Sequence, residues 1–285
     1  MKQIHLSGFS DEIIPDFHKQ LEAIQRLGMS YIEIRGVNSR NISEYTADEA
    51  KAIKKALDTY GIRVSAIGSP CGKMNIQDDF ESHFHVFQNV LELCKVLETR
   101  YIRIFSFYIP AGSEPGQYRE QVLADLERMV NYAQKEDVIL LHENEKEIYG
   151  DMADRCNDVL TYFNSPHLRG VFDFANFVQC RQDTAEAYEQ LAGYIDYIHI
   201  KDAVWDTGRV VPAGMGDGRV PELLRRFRDG GYGGFLSVEP HLDNFVGFQG
   251  LERREDEHES TANGYEAFSA AANALKAILW DLDWR

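Results

Sequence analysis

Apolar and polar positions along this chain fall into a repeated unit. A short unbroken apolar run is followed by a turn, then by a longer stretch whose apolar residues recur at three- and four-residue intervals. The short runs are IHLSG (4–8), YIEIRG (31–36), RVSAIGS (63–69), YIRIFSF (101–107), VILLHE (138–143), RGVFDF (169–174), YIDYIHI (194–200) and FLSVE (235–239). Their Val, Ile, Leu, Phe and Tyr content predicts strands buried on both faces, as in a parallel sheet. Between them, FHKQLEAIQRLG places Phe17, Leu21, Ile24 and Leu27 on one helical face before a terminating Gly28. In TADEAKAIKKALDTYG, Thr46 is an N-cap with Glu49 three residues on, a capping-box signature. HVFQNVLELCKVL, YREQVLADLERMVNYAQK, ADRCNDVLTYF, TAEAYEQLAG, VPELLRRFRDGG and YEAFSAAANALKAILWDL predict the remaining helices. Strand–helix units repeated eight times predict a (β/α)8 TIM barrel, one domain over residues 1–285. A doubly wound open sheet is the alternative.

Length and composition narrow the class. A single α/β barrel typically takes about 250 residues, and this chain has 285. A hydrophobic fraction of 44% is enough for a sizeable core. No apolar run approaches the roughly 18 residues of a membrane span, and no charged-then-apolar leader precedes the first strand. Four scattered cysteines form no CxxC pair, so the expected compartment is a reducing cytoplasm. Formal net charge is −16, with 46 acidic against 30 basic residues, which argues against nucleic acid as a partner.

Four of the later strands end on a metal-binding side chain: VILLHENE on Glu143, LRGVFDFAN on Asp173, YIDYIHIKD on His199 and GFLSVEPH on Glu239. C-terminal strand ends converge on the face where barrels build their sites. Three carboxylates and one imidazole suit a single divalent ion with positions left for substrate oxygens: Mn²⁺ foremost, with Mg²⁺, Co²⁺ or Zn²⁺ as alternatives. Strand parity supports the convergence. Glu143 shares a face with Ile139 and Leu141, His199 with Tyr197 and Lys201, and Glu239 with Phe235 and Ser237. His142 and Asp202 then point the other way, His142 as a packed residue.

The quartet, the HIKD of the seventh strand, the GMGDGRVPELLRRFRDGGYGGFLSVEPHL of the eighth unit and the FDFANF of the sixth together resemble the xylose-isomerase-like TIM barrels. Within them the chain is similar to the sugar phosphate isomerase/epimerase group of inosose dehydratases, ketose 3-epimerases and keto-glycoside epimerases. The resemblance implies one divalent metal held by Glu143, Asp173, His199 and Glu239. Glu143 rather than Glu145 aligns with the group's Glu-Asn-His pattern. That pattern has become Glu143-Asn144-Glu145 here, and Asn176 stands where many members have a substrate-contacting His.

The expected reaction is proton abstraction beside a carbonyl of a sugar or cyclitol, through an enediolate, with Glu143 or Glu239 as the base. In an epimerase the other carboxylate returns the proton from the opposite face; in a dehydratase an acid expels hydroxide. Asn176 and Glu145 are expected hydroxyl binders. Lys201 either stabilises the oxyanion or pairs with a nearby carboxylate. Arg35 either reaches a substrate hydroxyl or phosphate, or pairs with Glu33 or a loop carboxylate. AGMGDG (213–218) reads as a mobile loop rather than a phosphate cradle, since it lacks GKS/T. The loops 70–80 and 107–117 should lie on the site face, and FYIP (107–110) closes over substrate or meets a partner chain. ERREDEHE (252–259) reads as a solvated loop. A homo-oligomer is compatible with the group. A second metal site of the hydride-shifting kind finds no ligand motif, and the three-zinc DNA endonucleases of this fold need ligands and a basic face absent here. A metal- or sugar-binding barrel without turnover is the non-enzyme alternative.

Overall fold

The computed structural model describes residues 2–241 and 264–284; the ERREDEHE run lies outside them. Eight strands form one parallel sheet: β1 His5–Gly8, β2 Tyr31–Ile34, β3 Arg63–Ile67, β4 Tyr101–Ile104, β5 Ile139–Glu143, β6 Leu168–Asp173, β7 Ile195–Ile200 and β8 Phe235–Val238. Their order is β1-β8-β7-β6-β5-β4-β3-β2. β1 pairs with β8 in parallel, Ser7 opposite Ser237, and β1 and β2 lie side by side at the seam. The sheet therefore curls into a nearly closed (β/α)8 barrel, and the open doubly wound alternative is excluded.

Helices α1 Phe17–Arg26, α2 Ala47–Tyr60, α3 Phe80–Leu97, α4 Arg119–Lys135, α5 Ala153–Phe163, α6 Phe174–Gln179, α7 Thr184–Leu191, α8 Val220–Asp229 and α9 Gly264–Asp281 surround the strands. The capping box at α2 forms as the sequence predicts: Glu49 N–H donates to Thr46 Oγ1 at 3.3 Å, and Thr46 N–H to Glu49 Oε2 at 2.7 Å. α3 begins five residues before the predicted start. Asp79 caps it, accepting from Glu81 N–H at 3.1 Å, and Phe80, Phe84 and Phe87 then stack along one face with centroids 5.7 Å apart. In α8, Val220, Leu223, Leu224 and Phe227 are buried at helical spacing; burying each contributes about 2 kcal/mol.

Inside the barrel, residues two apart along each strand stack in layers. The lowest holds rings: His5, Tyr31, Tyr101, Tyr197 and Phe235 contact one another with centroids 5.0–6.3 Å apart. Above it, Ser65 Oγ bonds Ser7 Oγ at 2.6 Å and the Tyr197 hydroxyl at 2.8 Å. The layer above these is charged.

Candidate metal centre

Glu143, Asp173, His199 and Glu239 meet at the C-terminal rim, each at most 2% exposed. They offer four ligand atoms that all lie within 4.8 Å of one another. The imidazole is oriented by its neighbours. Nδ1 faces the carboxylates: Glu143 Oε1 at 2.9 Å, Glu239 Oε2 at 3.5 Å and Asp173 Oδ2 at 3.7 Å. Nε2 faces Glu33 on β2 at 3.1 Å, and Glu33 also accepts from Ser237 Oγ at 2.7 Å. A carboxylate behind a histidine in this way fixes the ring and makes its other nitrogen a better ligand.

Asp173 divides its two oxygens. Oδ1 caps α6, accepting from Asn176 N–H at 2.8 Å. Oδ2 is buried without a hydrogen bond, as is Glu143 Oε2. Each has a cation near it, Lys201 Nζ 3.2 Å from Asp173 Oδ2 and Arg103 Nη1 3.3 Å from Glu143 Oε2, but no aligned donor, so lone pairs stay open to a metal ion. The donor set, its spacing and these two oxygens fit a hard divalent ion.

Electrostatics agree. Burial works to raise the Glu143 carboxyl, but His199 and Arg103 outweigh it and bring it down to about 2. Glu239 is likewise held well below the usual carboxylate range, burial being outweighed by Lys201 and His241. His199 is pushed well above its ordinary value, because Glu143 and Glu33 outweigh the opposing effect of burial. Without a cation the ring thus keeps a proton that a metal must displace. Metal binding is therefore expected to release about one proton per ion, and apparent affinity to rise with pH until it passes the folded value of His199. Calorimetric titration in buffers of different ionisation enthalpy measures this; pH-independent affinity without proton release would show that the ring does not exchange its proton for metal.

The other anticipated residues are all close by. Lys201 Nζ lies 2.9 Å from Glu239 Oε2 and 3.2 Å from Asp173 Oδ2, so its carboxylate pairing is present. Asn176 Nδ2 donates to Asn144 O at 2.8 Å and to Glu143 Oε1 at 3.3 Å, which aims it at a member of the quartet. Glu145 is paired with Lys73 of the 70–80 loop at 3.0 Å. Arg35 pairs with Asp11 at 2.8 Å, Glu12 at 3.1 Å and Glu239 at 3.4 Å, and not with Glu33, which is turned to His199. His142 points away, bonded to Ser106 Oγ at 2.9 Å, and burial lowers its pKa to about 4 despite the opposing pull of Glu143. Tyr108 of FYIP bridges Asn75 and Ile148.

One expectation needs correction. The AGMGDG segment is not loose: the N–H groups of Gly214, Gly216 and Gly218 donate to the Asp202 carboxylate at 2.8–3.0 Å. This cradle for an anion is filled by the chain's own side chain. Apart from the quartet, Glu12, Glu239 and His241 lie close enough that they could hold a metal ion. This group is assembled from the turn after β1 and the end of β8, so no sequence motif announces it. The Arg35 guanidinium already bridges Glu12 and Glu239 there.

Sequence reasoning missed Glu33 and Arg103. Parity would have found both, since Glu33 lies two residues before Arg35 and two after Tyr31, and Arg103 two after Tyr101.

The fold and this rim define a class: a parallel α/β barrel with three carboxylates and one histidine poised at its C-terminal mouth. The family model described as "Xylose isomerase-like TIM barrel" matches residues 21–270. The chain belongs to that family. No curated protein matches significantly. Among solved structures, an IolI protein with a bound zinc atom aligns with TM-score 0.76 and 18% identity, covering 98% of this chain and 99% of that one. A D-tagatose 3-epimerase-like protein aligns with TM-score 0.74, 16% identity and 98% of both chains. The probable 3-DHS dehydratase AsbF of Bacillus anthracis aligns with TM-score 0.72 and 16% identity, over 97% of this chain and 99% of that one. At these identities the likeness speaks for the fold. No helix among the described residues is long and apolar enough to cross a membrane.

Proposed function

We infer that this protein is a divalent-metal-dependent enzyme that moves a proton at a carbon beside a carbonyl of a sugar or cyclitol. The observation that supports this most is the buried quartet with Lys201 lodged against two of its carboxylates. Glu143, Asp173, His199 and Glu239 would hold the ion, with Mn²⁺ the first candidate. When bound, it would polarise the substrate carbonyl and acidify the neighbouring C–H.

The protein's own groups supply the rest. Glu143 and Glu239 are both ionised at neutral pH and both reach the same space from different strands, as removal and return of a proton require. Carboxylates held this far down are weak bases, so the C–H must be strongly acidified before either can take its proton. Lys201 Nζ donates to the oxygen on which charge develops. Asn176 holds Glu143 in place through its amide. Glu145, already paired with Lys73, accepts from a substrate hydroxyl, while Arg35, held by Asp11 and Glu12, orients Glu239. A dehydratase would use the same first step and lose hydroxide in the second. Both a tagatose-epimerase-like protein and a probable dehydratase share this fold.

The test is proton exchange. The Mn²⁺-loaded protein is incubated in D₂O with ketoses, inososes and 3-keto-glycosides, and the C–H signals beside the carbonyl are followed by NMR. Metal-dependent deuterium incorporation is expected, and the product separates epimerase from dehydratase. Stoichiometric metal binding with no exchange across the panel would favour a binding barrel without turnover.

A further inference from the structure

Two buried arginines flank the ring of Phe9, Arg35 at 4.5 Å and Arg103 at 5.1 Å from its centroid, and their situations are opposite. Arg35 is fully engaged: Nε and Nη2 grip Asp11 at 2.8 and 3.1 Å, Nη2 reaches Glu12 at 3.1 Å, and Nη1 reaches Glu239 at 3.4 Å. Arg103, on β4 and 4% exposed, makes one long hydrogen bond, from Nη2 to Ser69 O at 3.4 Å. Its Nε is buried with no partner. Its Nη1 lies 3.3 Å from Glu143 Oε2 and 4.0 Å from Glu239 Oε1, close enough for charge but without hydrogen-bond alignment. A guanidinium carries five N–H donors in a planar fork, and a buried one serving as a plain counter-ion is normally gripped as Arg35 is.

Charge sharpens the contrast. Among the described residues, buried Arg35 has Asp11 and Glu12, buried Lys201 has Glu239 and Asp173, and half-buried Lys73 has Glu145. Glu33 is taken by His199 and Ser237. Glu143 and Glu239, the two carboxylates nearest Arg103, belong to the quartet, and Arg103 meets both without hydrogen-bond alignment. The place is walled by rings, with Arg103 4.9 Å and Lys73 4.5 Å from the centroid of Phe105. An unfulfilled planar fork between two rings, beside the quartet, suits a carboxylate, which presents two oxygens in one plane.

We propose that Arg103 is a substrate-binding residue that selects a carboxylated substrate, a keto sugar acid rather than a neutral ketose. This rests on the enolisation reading above, deepening it by naming the substrate class. The probes are D-fructuronate and D-fructose, which differ in one terminal carboxylate. Affinity of the Mn²⁺-loaded protein for each is measured by calorimetry, so the answer does not depend on turnover. The acid is expected to bind at least about tenfold more tightly, the worth of a hydrogen-bonded charge pair. In Arg103→Gln that ratio should fall to about one. Arg103→Lys, which keeps the charge but not the fork, should fall between. If the glutamine variant loses its metal stoichiometry or its melting transition, the lysine variant decides. Equal affinities in the wild-type protein, no measurable binding of the acid, or a preference that survives both substitutions would overturn the proposal. Failure of the enolisation reading shows separately, as absence of deuterium exchange in either probe.

Discussion

Replacing Glu239 by glutamine is expected to lower deuterium exchange beside the substrate carbonyl by about 10³-fold while the barrel stays folded. The figure is that of removing one positioned acid–base group. Glutamine is the informative choice because of what Glu239 touches. Its carboxylate meets Lys201, Arg35 and His241 at 2.9, 3.4 and 3.1 Å. An amide keeps the volume, while Lys201 retains Asp173, and Arg35 retains Asp11 and Glu12. Alanine would instead open a hole among three buried nitrogenous side chains, at about 3–5 kcal/mol for a broken buried pair, and would mix misfolding with lost chemistry. A thermal melt and metal stoichiometry alongside the exchange rate keep the two apart. Near wild-type exchange in a folded, metal-loaded Glu239→Gln protein would remove Glu239 from the proton transfer.

The second large effect is expected at Glu33, which lies behind His199 and accepts from Ser237. Glu33→Gln should weaken metal binding about 10- to 100-fold, the usual cost of losing a carboxylate behind a ligating histidine. Its oxygens lie 3.1 and 3.3 Å from His199 Nε2, and the charge both turns the ring and makes Nδ1 a stronger donor. The same charge helps His199 hold its proton, so the substitution also weakens proton competition and masks part of the loss near neutrality. The measurement is therefore a chelator competition at alkaline pH. Unchanged affinity there would show that the ring is held by packing against Phe9 and Tyr197, whose rings meet it edge-on.

Much of this centre was legible in the sequence because a parallel barrel writes its site in strand ends. Glu143, Asp173, His199 and Glu239 each close an apolar run, and parity placed Glu143, His199 and Glu239 on the inner face with His142 and Asp202 outside. The same parity was open to use on YIEIRG and YIRIFSF, where it puts Glu33 and Arg103 inside. A charged residue in mid-strand carries no ligand signature at the strand end, so its inward position alone does not announce a role. Parity also has a physical limit. The ladders slip between Ile32 and Glu33 and between Gly170 and Val171, and no local pattern marks a bulge. Asp11 and Glu12 were beyond reach for another reason: they sit in a three-residue 3-10 turn with no periodicity to read. The partners of Arg35 and the filling of the glycine cradle by Asp202 are long-range contacts, which spacing along the chain does not encode.

The ring layer formed by His5, Tyr31, Tyr101, Tyr197 and Phe235 makes the barrel a cup and not a tube. Packed side chains close the lumen beneath the charged layer, as they do in barrels generally. Whatever reaches the quartet must come in over the loops of one rim and go out the same way. Traffic through a single mouth is sequential: a molecule seated over Glu143 and Glu239 blocks the next arrival, and water reaching the quartet has to pass the same occupant.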